Sequence, residues 1–195
     1  MNDIVRMVVV LCLIAGVSSA ALTVAHVQLG PQMEKQTDLY IRGPALERLF
    51  GKPAKEVLNN KVVVHLPDQD VPIFFSRDGE KVSSLAVEAI GKGGFGGDLK
   101  IMVGIDLNAG LTNGMEVVSH SETPGLGARI VEPGFRRQWQ GLSLETPIAL
   151  TKDGGTIDSI SGASTTSGAA VRGTNEVLLF VRDHKDDILK SISEL

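Results

Sequence analysis

The sequence is poor in the side chains that most often bind metals. It has one cysteine, Cys12, in 195 residues, and a single thiol cannot form a disulfide, a four-cysteine zinc site or an iron–sulfur cluster within the chain. The four histidines show no HxxH or HxxxH spacing, whereas metal sites usually draw on clustered histidine and cysteine. We therefore predict no metal site, so any redox chemistry has to use an organic cofactor or a metal held by another protein.

Aromatic residues and basic runs are also scarce. Aromatics make up 4% of the chain, the net charge is −4, and the longest basic run is Arg136-Arg137. Nucleic-acid binders need a clustered basic surface and, for single strands, aromatic side chains on which bases stack. The composition therefore excludes nucleic acid as a predicted partner. The sequence also offers no pair of residues that predicts a catalytic acid and base.

The chain is instead rich enough in apolar residues to build one packed domain. Hydrophobic residues make up 43% and charged residues 22%, which is typical of a globular domain rather than of a disordered segment. A chain of this length has room for one ordinary domain and a membrane anchor.

The N-terminal segment Met7–Val27 carries no formal charge. As a helix, its roughly 21 residues would extend about 31 Å, close to the thickness of a bilayer's hydrocarbon core. We predict an uncleaved transmembrane anchor in residues 1–29. The alternative is a cleaved signal peptide with Ser18-Ser19-Ala20 as its cleavage site. Both interpretations place residues 30–195 on the extracytoplasmic side of the cell membrane.

The rest of the chain predicts an α+β domain with a mostly antiparallel sheet and flanking helices. Gly30-Pro31 is expected to end or kink the first helix, and apolar spacing predicts a short charged helical region in residues 32–52. The predicted strands are Lys61–Leu66, Val71–Phe75, Lys81–Ile90, Leu99–Ile105 and Met115–His120, and the tail from Ser167 to Lys190 is predicted to be helical.

Turn residues separate these strands. Pro67–Asp70 and Arg77–Glu80 predict two turns, and Asn113-Gly114 predicts a tight turn before the strand at Met115. The glycine-rich segment Gly91–Gly97 predicts a flexible hairpin loop. It does not match a dinucleotide-binding fingerprint, because a strand rather than a helix follows it.

Two further segments are candidates for ligand binding. His120–Gly127 contains two glycines on either side of a leucine, after Pro124, and this composition predicts a rigid turn. The backbone of such a turn can approach a flat ligand closely, or the turn can have a purely structural role. Between Ser161 and Ser167 five hydroxyl residues precede the helical tail. One hydroxyl suffices to cap a helix, and the free N–H groups of a first turn also favour a phosphate. Both a cap and an anion site fit this segment.

Ser161-Gly-Ala-Ser-Thr-Thr166 resembles the flavinylation motif of FMN-binding domains, [ST]-G-A-[ST]-x-[ST], with Asp158 or Asp153 as its preceding aspartate. Glu122-Thr-Pro-Gly-Leu-Gly127 resembles the second signature of that family. The order of anchor, sheet and motifs is similar to the G subunit of the Rnf ion-translocating electron-transport complex and, more distantly, to the C subunit of the Na⁺-translocating NADH:quinone oxidoreductase. The resemblance covers essentially the whole chain.

The resemblance implies FMN joined by a phosphoester to a side-chain hydroxyl, installed by a separate flavin transferase that takes FMN from FAD. It places the attachment on Thr166, with Ser164 as the alternative. The other cofactor-binding residues that it implies are Ser161, Gly162, Ala163, Thr165, Glu122, Thr123, Pro124, Gly125, Leu126 and Gly127.

The function implied is that of an electron-transfer subunit rather than a stand-alone enzyme, working beside other membrane subunits such as a cytochrome or an iron–sulfur protein. Two alternatives remain. One is the C subunit of the quinone oxidoreductase, and the other is a membrane-tethered ligand-binding module without a covalent cofactor. A hydrolase is disfavoured because Gly-x-Ser-x-Gly is absent.

Overall fold

The computed structural model describes residues 3–65 and 70–193. The chain divides into two compact units, residues 1–40 and 41–195. The first unit is built on helix α1, Asp3–Thr37. In the part of the chain that the structure describes, the helical run Asp3–Phe50 is long and apolar enough to cross a membrane by length and composition.

The sequence predicts that Gly30-Pro31 ends or kinks the first helix, and α1 does not end there. Pro31 lies inside the helix, which continues to Thr37. Proline fixes φ near the helical value and removes one backbone donor. A helix can therefore pass through a proline when its other hydrogen bonds form.

The predicted helical region in residues 32–52 is confirmed, but in three parts. The end of α1 is followed by a π-helical turn, Asp38–Arg42, and by helix α2, Gly43–Phe50. Ala45, Leu46 and Leu49 on α2 are buried and Phe50 is half-buried. Helix α3, Ala54–Leu58, follows and buries Val57. The apolar spacing of α2 thus marks the face that packs on the sheet.

The sheet has five strands, β1 Lys61–His65, β2 Asp70–Asp78, β3 Lys81–Gly91, β4 Leu99–Asp106 and β5 Leu111–Ser119. Each strand pairs antiparallel with the next along the chain, in the order β1-β2-β3-β4-β5. The predicted antiparallel sheet and the hairpin at Arg77–Glu80 are confirmed. Of the predicted turn at Pro67–Asp70, residues 67–69 lie outside the described residues, as does Leu66.

The predicted turn at Asn113-Gly114 is wrong, because both residues lie inside β5. Gly104 pairs with Gly114 and the next residue, Ile105, pairs with Thr112, so Asn113 is the extra residue of a β-bulge. The chain reverses earlier, where the Asp106 side chain accepts hydrogen bonds from the Asn108 and Ala109 amides at 2.8 and 2.9 Å. Gly114 has φ 146°, and a glycine inside a strand is as typical of a bulge as of a turn.

Short helices connect β5 to the C-terminal part of the chain. They are a 3₁₀ turn at Gly127–Val131, helix α4 at Pro133–Arg136, and 3₁₀ turns at Arg137–Trp139 and Thr151–Asp153. Trp139 is fully buried, and its indole N–H donates to the Thr174 hydroxyl at 2.8 Å. This connection therefore belongs to the core rather than to a surface loop.

The tail that the sequence predicts to be helical forms two helices, α5 Ser164–Asp183 and α6 Lys185–Ser193. Helix α5 begins three residues earlier than Ser167. Val177, Leu178, Val181 and Ile188 are buried as the apolar spacing predicts, and Leu189 is half-buried. The two helices pack on one face of the sheet in the main core, and α2 covers a smaller cluster that includes Phe74, Ala86 and Met102.

Candidate cofactor site

Three segments that are distant in sequence meet at the buried carboxylate of Glu122. Its Oε2 accepts a hydrogen bond from the Thr166 hydroxyl at 2.8 Å, and its Oε1 accepts one from the Gly96 amide at 3.2 Å. Glu122 is 5% exposed and Thr166 is fully buried. The Glu122 side chain therefore joins the glycine-rich loop, the segment after β5 and the start of α5.

The segment after β5 is a compact turn. The Glu122 amide donates to His120 Nδ1 at 3.2 Å, and the Thr123 carbonyl accepts from the Leu126 and Ala128 amides at 3.2 and 3.1 Å. Gly125 has φ 77°, a conformation that glycine adopts without a steric cost. The predicted turn at Glu122–Gly127 is present, and it aims the Glu122 side chain inward while Leu126 stays 47% exposed.

Gly127 is required by close packing rather than by its backbone angles. A Cβ atom added there would lie 2.1 Å from Glu122 Oε2 and 2.8 Å from Thr166 Oγ1. Such distances do not occur between real non-bonded atoms. Any side chain at this position would therefore displace the carboxylate from the Thr166 hydroxyl.

The glycine-rich loop is fastened to its surroundings. A Cβ at Gly96 would lie 2.1 Å from the Ser121 carbonyl oxygen, and one at Gly91 would lie 2.4 Å from the Ala169 carbonyl oxygen. The Arg172 guanidinium donates to the Lys92 carbonyl at 2.6 Å. The loop is present as predicted, and Gly91 and Gly96 permit its close backbone contacts. It presents Phe95, which is 77% exposed.

The hydroxyl residues around the start of α5 divide into two groups. Ser164 and Thr165 are exposed, as is Ser161 before the helix, while Thr166 and Ser167 are fully buried. Ser167 Oγ accepts from the Ile160 amide at 2.9 Å and donates to the Ala163 carbonyl at 3.1 Å. The buried hydroxyls thus hold the helix start in place, whereas the exposed ones are free of that structural role.

The first turn of α5 is suited to an anion. Ala163 is the N-cap residue and provides no side-chain cap, so the amides of the first turn are not satisfied by a capping hydroxyl. Unsatisfied amides and the positive end of the helix dipole favour a phosphate group at this place. Leu126 lies beside this turn, because a Cβ at Gly162 would be 3.3 Å from Leu126 Cδ2. A turn suited to a phosphate, next to the exposed Leu126 side chain, could accommodate a flat phosphorylated cofactor.

Several residues that build the site were not identified from the sequence. Asp98 and Arg172 fasten the glycine-rich loop: the Gly93 amide donates to Asp98 Oδ1 at 2.9 Å, and the Arg172 guanidinium donates to the Lys92 carbonyl. In the sequence, the repeated glycines Gly91, Gly94 and Gly96 were the signal for these close contacts, because repeated glycines are typical of close backbone approach as well as of flexibility. Asp158 is exposed, and its backbone is held by Gln138, whose Oε1 accepts from the Asp158 amide at 2.6 Å.

A family model described as the FMN-binding domain matches residues 94–179. This range contains the segment after β5, the start of α5 and the glycine-rich loop from Gly94 onward. The fold is therefore that of an FMN-binding domain. The G subunit of the ion-translocating oxidoreductase complex of Pseudomonas aeruginosa is 31% identical over 161 residues, which cover 76% of this chain and 75% of that protein. The chain belongs to the family of these G subunits.

Other similar proteins agree with this assignment. The G subunit of the same complex from Aliivibrio fischeri is 33% identical over 136 residues, and this chain spans 60% of that protein's length. The solved structure of the C subunit of Na⁺-translocating NADH-quinone reductase from Parabacteroides distasonis covers 75% of this chain and 89% of its own, with a TM-score of 0.55 and 20% identity. This structural likeness concerns the fold.

Proposed function

We propose that this protein is a membrane-bound electron-transfer subunit that carries covalent FMN and relays electrons within an Rnf-type ion-translocating oxidoreductase complex. The observation that carries the proposal is the buried contact between Glu122 and Thr166, which joins the two motif segments beneath the exposed Ser164 and Thr165. The names of the relatives, which are subunits of an ion-translocating oxidoreductase complex, support the same role.

FMN supplies the redox chemistry when it is bound, and the domain's own residues supply its position. The phosphate would be held by the amides at the start of α5, next to Ser164. The turn Thr123–Gly127 and the exposed Phe95 ring provide apolar surface for a flat ring system. A covalent link keeps the cofactor from exchanging, which matters on the extracytoplasmic side, where cytoplasmic FMN cannot replace it.

The attachment proceeds, in this proposal, by transfer of FMN from FAD to a hydroxyl of Ser161–Thr166. The hydroxyl oxygen bonds to the phosphorus on the FMN side of the pyrophosphate, the hydroxyl proton is released and AMP leaves. A flavin transferase has to reach the acceptor. The family motif places it on Thr166, but that hydroxyl is fully buried and donates to Glu122. Ser164 is exposed at the first position of α5, and its accessibility supports it as the acceptor in the folded domain.

Mass spectrometry of the wild type and of single variants tests both the covalent attachment of FMN and the identity of the acceptor hydroxyl. The full chain is produced with a flavin transferase, and the peptide between Lys152 and Arg172 is expected to gain the mass of one FMN less one water. Ser164→Ala, Thr165→Ala and Thr166→Ala are compared, with Thr165→Ala as the matched control at an exposed neighbour. Loss of the added mass in Ser164→Ala alone assigns Ser164, and loss in Thr166→Ala alone assigns Thr166. Absence of the added mass from the wild-type peptide would falsify covalent attachment at this segment.

We further propose that the anchor places this domain outside the cytoplasm. The apolar side chains along α1 are exposed, with Leu11 at 69%, Val17 at 68% and Leu22 at 73%, as expected for a helix in contact with lipid or with other membrane helices. The partners in this proposal are the other membrane subunits of the complex, including a cytochrome or an iron–sulfur protein, and the flavin transferase during maturation.

A further inference from the structure

A second cavity lies in the unit of residues 41–195, lined by residues other than those of the cofactor site. It has a volume of about 230 Å³ and lies between α2, the bulged part of β5 and α4. The charged residues in its wall are Arg48, Arg136, Arg137 and Glu116. Three guanidinium groups and one carboxylate therefore meet at one concave surface.

Glu116 holds two of these arginines in place. It is 6% exposed, and its Oε2 lies 2.8 Å from Arg48 Nη2 while its Oε1 is paired with Arg136 Nη1. Arg136 is also fixed through Nε, which donates to the Val131 carbonyl at 2.9 Å. A buried carboxylate is stable only when it is paired. The pairing orients both guanidinium groups before any ligand arrives.

Arg137 adds a positive charge that Glu116 does not balance. Its side chain is exposed and lines the cavity. Within residues 3–65 and 70–193 its guanidinium has no hydrogen-bond or ion-pair partner. The cavity thus has three positive charges against one negative charge, although the whole chain has a net charge of −4.

The β-bulge helps to shape this cavity. Asn113 and Gly114 are in its wall, and the extra residue at Asn113 bends β5 at this point. A Cβ at Gly114, whose φ is 146°, would lie 3.5 Å from Leu49 Cδ2 and 3.7 Å from Gln140 Cγ. The strand departs from regular pairing at the place where it meets the arginines.

We propose that this cavity binds a phosphate monoester or inorganic phosphate as its dianion. Planar guanidinium groups bind phosphate oxygens with two parallel hydrogen bonds. A phosphate monoester carries a charge near −2 at neutral pH, which balances the cavity's excess of two positive charges. A ligand with one carboxylate would neutralise only one of these two charges. The proposal depends on the arginine cavity alone and stands independently of FMN at the other site.

Calorimetric titration of the full chain with inorganic phosphate tests this proposal, in neutral detergent at constant ionic strength. Saturable binding at one site is expected. Arg137→Gln is expected to weaken it about tenfold or more, because charge-assisted hydrogen bonds are lost. Arg129→Gln is the matched control, since Arg129 is an exposed arginine paired with Glu132 and outside the cavity wall.

The pH dependence gives a second readout. Affinity for inorganic phosphate is expected to rise as the pH increases through its second ionisation, where the monoanion becomes the dianion. Absence of saturable binding, or equal weakening in Arg137→Gln and Arg129→Gln, overturns the proposal. Binding of phosphatidylglycerol nanodiscs without binding of inorganic phosphate also overturns it, in favour of a lipid headgroup.

Discussion

The Thr166 hydroxyl donates a hydrogen bond to the Glu122 carboxylate at 2.8 Å across a separation of 44 residues. Both side chains are buried. This contact holds the first turn of α5 against the turn that follows β5, and it leaves Ser164 exposed above it. The geometry of the proposed attachment site therefore depends on a hydrogen bond beneath the surface.

Glu122→Gln is expected to lower the free energy of unfolding by about 1–3 kcal/mol, because it removes a buried charge-assisted hydrogen bond. Urea unfolding of the detergent-solubilised chain measures this through the fluorescence of Trp139, which is the single tryptophan and fully buried. Glu132→Gln, at an exposed position, serves as the control and should change stability by less than about 0.5 kcal/mol. Equal stabilities of the two variants would show that the Glu122–Thr166 contact does not stabilise the domain.

Gly127→Ala is expected to impair flavin incorporation more than Gly125→Ala. The new methyl group at Gly127 would occupy the position of the Glu122 carboxylate oxygen. At Gly125 the space around an added methyl group is open. That substitution costs only the backbone strain of a non-glycine residue at φ 77°, about 1–2 kcal/mol. Covalent flavin per protein, read from in-gel fluorescence, measures the difference. Normal flavin in Gly127→Ala would mean that the position of Glu122 does not control the site.

The stability of the domain is expected to fall in acid because of Glu88. Burial opposes ionisation of this carboxyl, but the Arg42 guanidinium and the Lys100 ammonium outweigh burial and hold its pKa below the ordinary 4.5. Arg42 Nη2 donates to Glu88 Oε2 at 3.0 Å, and Lys100 Nζ lies 3.2 Å from the same oxygen. A carboxyl whose pKa is lowered on folding stabilises the fold above its unfolded pKa, and this contribution is lost as the pH falls through the lowered value.

Urea midpoints between about pH 7 and about pH 3 measure this dependence. Glu88→Gln is expected to be less stable at neutral pH and to lose less stability than the wild type on acidification. Glu80→Gln, at an exposed position in the β2–β3 hairpin, is the control and should follow the wild-type profile. Parallel profiles of Glu88→Gln and the wild type would exclude Glu88 as a source of the acid sensitivity.

Protease added to intact spheroplasts is expected to degrade the domain, because the proposed topology places residues 30–195 outside the cytoplasm. The N-terminal residues should remain in the membrane-extracted protein if the apolar segment is an uncleaved anchor. A cytoplasmic marker protein has to stay intact in the same sample. Protection of the domain until the spheroplasts are lysed would place it in the cytoplasm and exclude an extracytoplasmic electron relay.

The elements that the sequence predicted correctly are those with a strong local signal. The apolar and β-branched residues of β3 and β4 predict strands directly, and the apolar spacing of Val177, Leu178 and Val181 predicts the buried face of α5. The apolar run Met7–Val27 predicts a helix in the same way. These patterns arise because the repeat of a strand or helix fixes which side chains share a face. The two motifs were also visible, because each lies within one short segment.

Only the tertiary structure decided how these segments meet. Asn113-Gly114 is as typical of a turn as of a bulge, and the pairing of Gly104 with Gly114 determined which one forms. Whether Thr166 or Ser164 is accessible depends on Glu122, and the fastening of the glycine loop depends on Arg172, which lies 80 residues from Lys92. Local sequence determines local conformation because its interactions lie within a few residues. Burial and hydrogen-bond partners across the fold depend on which distant segments pack together, and that is a property of the folded chain.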